Sequence, residues 1–222
     1  MYRNFLKRTF DLISALFLLS FLFIPFTIIA AWIKLDSRGP VLFKQKRAGK
    51  DLKPFTVYKF RTMETWAPRN VATRNLRDSG TYITRSGKIM RKISVDELPQ
   101  LFNVLRGEMS IVGPRPVVLQ EQDLFAEREK YGANACRPGI TGWAQVNGRD
   151  EVRTAEKAKL DGIYAASFGF VIDAKCLLKT ISAVFLTRGH REGYEFDDDG
   201  SDSMHLEREL TPGGELDEGV VV

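Results

Sequence analysis

Residues 12–33 read LISALFLLSFLFIPFTIIAAWI, 22 consecutive positions without a charge. That is the length of a helix able to cross a bilayer. A cleaved signal peptide is a poorer fit, because the run is long and no small-residue cleavage site follows it. Two details bear on how such a helix sits. Pro25 falls in the middle of the run, where it removes a backbone donor and favours a kink. Both flanks are basic, with Arg3, Lys7 and Arg8 before the run and Lys34, Arg38, Lys44, Lys46 and Arg47 after it. Lys- and Arg-rich flanks stay in the cytoplasm, so the charge assigns both ends to one side. A straight span accounts for the apolar length alone. A helix that enters, turns near Pro25 and returns accounts for both, so residues 1–36 are expected to form a re-entrant membrane helix.

The charge of the remaining chain is uneven. Over 222 residues the net is +5, but residues 191–222 hold eleven of the 28 acids and two of the 33 bases, which leaves +14 on residues 1–190. A body this basic implies polyanionic partners: anionic membrane lipid, phosphorylated substrates or nucleic acid. The acidic tail, residues 191–222, has little periodicity and reads as disordered. Cys136 and Cys176 form no CxxC pattern and point to a reducing compartment without a disulfide. With His190 and His205 as the two histidines, a histidine-built metal site is a poor fit, and any metal would be a hard cation on oxygen ligands, Mg²⁺ or Mn²⁺.

After the apolar run, alternation of Val41 and Phe43 on one arm with Phe55, Val57 and Phe60 on the other predicts a β-hairpin around Gly49–Lys53. Residues 64–85 are polar and read as a surface loop. A helix is expected over Ser86–Ile93 and another from Ser94. The stretch PVVLQEQDLFAEREKYG, residues 116–132, reads as a helix with Pro116 in its first turn and Gly132 at its stop. CRPGITGWAQVNGRD, residues 136–150, reads as a loop rich in hydrogen-bonding groups. Val171, Ile172, Leu177, Leu178, Ile181, Val184 and Phe185 recur at helical spacing, for a helix on the core or on the membrane surface.

Within SVDELPQL, residues 94–101, Asp96 and Glu97 stand side by side in a basic chain. The plain reading is a capping box, since Ser94 and Glu97 have the S-x-x-E spacing. Neighbours on a helix point about 100° apart, so the two carboxylates cannot share one proton and suit two separate tasks. Cations bracket them in short polar motifs: Lys59 and Arg61 in KFRTM, Arg91 before the pair and Arg115 in GPRP after it. Arginine presents a planar fork to phosphate oxygens, and Gly113, Pro114 and Pro116 stiffen the chain around Arg115. The amides of Gly139 and Gly142, with Gln145, Asn147 and Arg149, could cradle a diphosphate and read a base or sugar. Other chemistries lack their motifs. There is no Walker loop and no GxGxxG after a strand. No helix-turn-helix or zinc-finger pattern accompanies the positive charge, so no nucleic acid partner is expected.

The order KRTFDLISALFLL, KQKRAGKDLKPFTVYKFRTM, DELPQLFNVLRGEMSIVGPRP and RPGITGWAQVNGR resembles the monotopic phosphoglycosyl transferases, or bacterial sugar transferases, over roughly residues 1–190. The resemblance implies an α+β, mostly helical fold, with a re-entrant membrane helix kinked near Pro25 (1–36), a small cytoplasmic catalytic domain with interfacial amphipathic helices (37–190) and the tail. It implies transfer of a phosphosugar from a UDP-sugar to polyprenyl (undecaprenyl) phosphate at the cytoplasmic face of the bacterial inner membrane, releasing UMP. Asp96 would be the nucleophile and Glu97 would help to bind Mg²⁺. Lys59, Arg61, Arg91, Arg115, Gln145, Asn147, Arg149 and Asp161 would make up the substrate site, and a homo-oligomer is left open. Family members often break the helix at Ser-Pro, where this chain has Ile24–Pro25. Two other readings stay open: a lipid-binding module needing the charge but not the acids, and a metal-dependent phosphodiesterase needing no acceptor.

Overall fold

The computed structural model describes residues 2–68, 79–148 and 153–185. The acidic tail, residues 69–78 of the 64–85 segment and Arg149 lie outside the described residues. The chain is mostly helical, with two small two-stranded sheets.

A wide helical turn, Tyr2–Leu6, leads into helix α1, Lys7–Asp36. Helix α1 is continuous through Pro25 and is the one helix among the described residues long and apolar enough to cross a membrane. Two stripes divide it. Lys7, Asp11, Ala15, Leu19, Leu22, Phe26, Ile29 and Ile33 recur every three or four residues and face the rest of the chain. Ile13, Phe17, Phe21, Ile24 and Ile28 run along the other side, each more than 60% exposed.

Both ends of α1 are fastened to the same body. At the N-terminal end, buried Lys7 pairs with Asp173 at 2.8 Å and donates to the Val112 carbonyl. Buried Asp11 accepts from the Ser110 hydroxyl and the Ile111 amide, each at 3.0 Å. At the C-terminal end, Asp36 accepts from the Ser86 amide at 2.8 Å, and the Phe26 and Phe60 rings meet edge-on.

Strands β1 (Leu42–Ala48) and β2 (Pro54–Phe60) pair antiparallel, Leu42 opposite Phe60 and Ala48 opposite Pro54. Phe55 and Val57 enter the main core, while Phe60 packs against Ile33 and Met90 beside α1. Residues 79–82 form a short helix, α2 (Ser79–Tyr82), inside the expected polar loop. Helix α3 (Arg85–Lys92) follows, with Thr84 capping it through the Gly87 amide at 3.0 Å.

Three expectations are corrected here. The helix anticipated from Ser94 is a 3₁₀ turn, Val95–Gln100, continued by α4 (Leu101–Arg106); Pro99 lies inside the turn and denies the ladder an amide. The helix anticipated from Pro116 starts only at Gln122, as α5 (Gln122–Glu129), because residues 117–118 dock on the edge of β1: Ala48 donates to the Val117 carbonyl, and Arg47 bridges Val118. At its other end the helix stops at Glu129, three residues short of the expected Gly132, which is left-handed (φ 65°) and begins the next turn. Third, the loop expected over 136–150 contains strand β4 (Gly139–Thr141), parallel to β3 (Ser110–Val112), then helix α6 (Trp143–Asn147). Its glycines serve close packing. A Cβ on Gly142 would stand 2.0 Å from the Gly113 carbonyl oxygen.

Helices α7 (Thr154–Ala166) and α8 (Phe170–Phe185) close the body. Helix α8 buries Ile172, Asp173 and Cys176 and leaves Phe170, Val171, Leu178 and Ile181 exposed, so it presents one face to the core and an apolar face outward. The main core joins Ala15 of α1 to Val57, Leu101, Val104, Met109, Val112, Tyr164 and Ile172. A second cluster, built on Ala48, Val117, Leu124, Phe125 and Ala158, underlies the Arg115 segment.

Candidate active site

The acid pair sits on the 3₁₀ turn, which packs against β2. The expected capping box does not form. Ser94 adopts a left-handed conformation (φ 55°) without a capping side-chain bond, and the Glu97 carboxylate is engaged elsewhere. With three residues per 3₁₀ turn, consecutive side chains diverge by about 120°. Asp96 and Glu97 therefore face different surroundings, as two separate tasks require. Asp96 is 6% exposed.

Glu97 is held by two cations from different elements. Lys59 Nζ on β2 lies 2.6 Å from Glu97 Oε1. Arg115 straddles the carboxylate, with Nη2 at 2.9 Å from Oε1 and Nη1 at 3.3 Å from Oε2. Burial by itself would raise the Glu97 pKa, but the Arg115 and Lys59 charges and hydrogen bonds outweigh it and hold the carboxyl well below its ordinary range. Glu97 is ionised at every physiological pH.

Arg91, in the last turn of α3, donates from Nε to the Thr62 hydroxyl at 2.9 Å, just beyond the strand that carries Lys59. Arg61 turns toward α1. It is 4% exposed and donates to the carbonyls of Ser37 and Arg38 and to the Ser37 hydroxyl, capping the C-terminal end of that helix. Asp161, on α7, is 1% exposed and pairs with buried Arg128 of α5 at 2.6 Å. The same Arg128 donates to the main-chain carbonyl of Arg115 at 3.1 Å.

Among the residues expected to cradle a diphosphate, the Gly139 amide is taken by the Pro114 carbonyl at 2.9 Å. Gln145 donates to the Ile140 carbonyl at 3.0 Å, and its buried Oε1 has no hydrogen-bond partner. Asn147 donates to Trp143 and accepts from Lys179, whose ammonium lies 5.0 Å from the Trp143 ring centroid. The structure thus brings Lys59, Glu97 and Arg115 into one cluster, and fastens Arg61 to the membrane helix.

Sequence reasoning missed Arg128. It lies in AEREK, where the surrounding charges resemble a solvated face. Its helical phase was the available signal: Arg128 falls three and four residues after buried Phe125 and Leu124, on their side of α5.

No group of three or more His, Cys, Asp or Glu gathers among the described residues. The chemistry of the donors nevertheless suits a hard cation. Mg²⁺ and similar ions are bound through one or two carboxylates together with substrate phosphate oxygens, and the Glu97 carboxylate is a donor of that kind.

The chain matches the model of the family described as bacterial sugar transferase over residues 2–187. It is 43% identical over 186 residues to EpsL of Bacillus subtilis (strain 168), named as an uncharacterized sugar transferase, covering 83% of this chain and 89% of that protein. It is 44% identical over 192 residues to the undecaprenyl-phosphate glucose phosphotransferase of Komagataeibacter xylinus, covering 82% of this chain but 36% of that longer protein. A third relative, the UDP-glucose:undecaprenyl-phosphate glucose-1-phosphate transferase of Caulobacter vibrioides, is 40% identical over 189 residues, 82% of this chain and 70% of its own length.

Proposed function

The chain belongs to the bacterial sugar transferase family, and on that premise we propose that it moves a phosphosugar from a UDP-sugar to polyprenyl phosphate, releasing UMP, at the cytoplasmic face of the bacterial inner membrane. The observation that carries this reading is the Lys59–Glu97–Arg115 cluster beside Asp96. It joins a second carboxylate on the same turn to one cation from β2 and another from the proline-flanked loop, the set that transfer from a diphosphate needs. Phosphoryl transfer depends mostly on positioning and on neutralising charge.

In this mechanism an Asp96 carboxylate oxygen attacks the β-phosphorus of the UDP-sugar. A bond forms from Asp96 to that phosphorus, the bond from the phosphorus to the bridging oxygen breaks, and UMP leaves with that oxygen. A phosphate oxygen of the polyprenyl acceptor then attacks the phosphosugar–Asp96 intermediate, forming the new diphosphate and returning Asp96 as a free carboxylate. Lys59, Arg91 and Arg115 hold phosphate oxygens and balance their charge. Gln145 and Asn147 contact the nucleoside or sugar. Glu97 would hold a Mg²⁺ (or Mn²⁺) ion, which supplies further neutralisation of the diphosphate when bound.

The re-entrant arrangement of α1 is part of the same reading. Thirty helical residues extend about 45 Å, enough to cross a bilayer. Yet Lys7 and Asp36, near its two ends, are both bonded to one body. That contact pattern supports a helix returning to the side it entered from, with the exposed faces of α1 and α8 turned to lipid.

The test is an intact-mass measurement on detergent-solubilised protein with Mg²⁺ and a panel of UDP-sugars, without acceptor. A gain of one phosphosugar, absent in Asp96→Asn and discharged by polyprenyl phosphate, is expected. Continuous UMP release without acceptor would replace the transferase with a phosphodiesterase.

A further inference from the structure

The segment that carries Arg115 has prolines at 114 and 116, neither of which has an amide hydrogen. Its backbone is held instead through its carbonyls, and four consecutive ones are gripped. Pro114 O accepts from the Gly139 amide at 2.9 Å, and Val117 O from the Ala48 amide at 3.0 Å. Between them, Arg115 O accepts from Arg128 Nη2 at 3.1 Å and Pro116 O from Arg47 Nη1 at 3.2 Å. The donors come from three elements: β4, α5 and, for the last two carbonyls, β1.

The grip on Arg115 O differs from the rest. Arg128 is 5% exposed, and both its Nε (2.8 Å) and Nη2 (2.6 Å) lie on one oxygen of Asp161, itself 1% exposed. The bland account is a buried ion pair joining α5 to α7. It explains the bonds to Asp161 but assigns nothing to the third, which ends on the residue whose guanidinium straddles Glu97. A buried ion pair is also a poor choice for welding alone, since well-packed apolar residues of similar volume commonly serve as well or better.

We propose that Arg128 is a positioning residue that sets Arg115 on Glu97, and that Asp161 acts through Arg128 rather than by touching substrate. The inference rests on the transferase reading for its kinetic consequence but not for the geometry. Asp161 fixes the rotation of the Arg128 guanidinium, the guanidinium fixes the Arg115 carbonyl, and the rigid proline-flanked backbone passes that placement to the Arg115 fork. Without the bond, the Arg115 carbonyl loses its donor and the segment shifts to find another. A displacement near 1 Å at a reacting centre costs roughly 100-fold in rate.

The experiment uses the full chain and exchanges the pair for apolar residues, Arg128→Met with Asp161→Leu. Melting temperature, amide exchange across Gly113–Val118 and transfer kinetics are compared with wild type. Exchange should rise roughly tenfold and kcat fall roughly 100-fold, while the melting temperature stays close to wild type. In an Arg115→Lys background the same exchange of the pair should change kcat by less than about threefold, because the residue it positions no longer forms the fork. Wild-type exchange and kcat in the apolar variant, or effects that multiply fully in the Arg115→Lys background, would overturn the proposal. Should the apolar pair fail to fold, Arg128→Lys serves instead: a point charge can answer Asp161 but not hold Arg115 O as well, and the same readouts apply. If the wild type transfers no phosphosugar yet the variant's exchange rises, the clamp stands and the transferase reading falls.

Discussion

Lys59 Nζ lies 2.6 Å from Glu97 Oε1, across 38 positions of sequence, and Arg115 closes on the same carboxylate from the opposite direction in the chain. A 3₁₀ turn, a β-strand and a proline-flanked loop therefore converge on one acid. The stability this contributes has a defined pH dependence. The folded pKa of Glu97 is depressed below its unfolded value of about 4.3. Its contribution is complete above that unfolded value and is lost as pH falls through the folded one. The stability advantage of wild type over Glu97→Gln should be constant above about pH 5 and shrink below about pH 4. Thermal melts of both proteins between pH 7 and pH 3 check this, and a gap unchanged down to pH 3 would refute it.

Asp96→Asn replaces the carboxylate proposed to attack with a neutral amide while keeping shape and the Glu97 cluster. Transfer should fall by at least about 1,000-fold, the scale of losing a nucleophile, and UDP affinity should change by less than about threefold. Calorimetry with UDP beside an assay of UMP release separates the two. Retained turnover would remove Asp96 from the covalent role.

Asp173 lies beneath the entry of α1, 2% exposed, paired with Lys7 and accepting from the Tyr2 and Tyr164 hydroxyls. Asp173→Leu would leave Lys7 with Asp11 at 3.8 Å as its remaining ion pair. The expected loss is about 3 kcal/mol, as for one partner removed from a buried pair. Denaturant unfolding in detergent gives the value; a loss below about 1 kcal/mol would mean that the network contributes little.

Gly142→Ala forces a methyl into the space 2.0 Å from the Gly113 carbonyl oxygen. Backbone lines both sides of that gap, so the strain cannot be relieved by a rotamer change, and about 1–3 kcal/mol of destabilisation is expected. The variant should also transfer more slowly, because Gly113 leads directly into the Arg115 segment. A variant as stable as wild type would show that the gap can widen.

The side on which each end of α1 lies can be read chemically. In a Cys136→Ser background, Phe5→Cys and Arg38→Cys should both react with an impermeant maleimide in inside-out vesicles and neither in right-side-out ones. Opposite labelling of the two would establish a straight span.

The features that repeat along the chain were legible in the sequence. Charge-free residues 12–33 announced α1, and the alternation of Phe55 and Val57 announced β2. The acids at 96 and 97 with the cations at 59 and 115 pointed to the Lys59–Glu97–Arg115 cluster. What stayed hidden depends on partners distant in sequence. Ser94 and Glu97 have capping-box spacing, but Lys59 and Arg115 offer Glu97 a stronger charge-assisted bond than a backbone amide could. Residues 117–118 sit in a stretch of helix-like pattern, and the free edge of β1 captured them. Asp161 was picked out by resemblance, yet its link to the site runs through Arg128, a residue on another helix. Arg61 stands in the same short motif as Lys59, and nothing local told that its guanidinium would close the end of α1.

The two stripes of α1 alter what the membrane is to this protein. Its inner stripe supplies Ala15 and Ile33 to two core clusters, so the helix is a wall of the body rather than a tether on it. Cutting it away would uncover Val104 and Met90, take Lys7 from Asp173 and remove the helix end that Arg61 closes. The outer stripe needs lipid, and only the folded chain presents it in one array. A bilayer that favours the folded form over the unfolded one behaves as a ligand, raising stability by mass action. The melting temperature of this protein is then a property of the protein and its lipid together, and a change of membrane composition becomes a change in folding equilibrium.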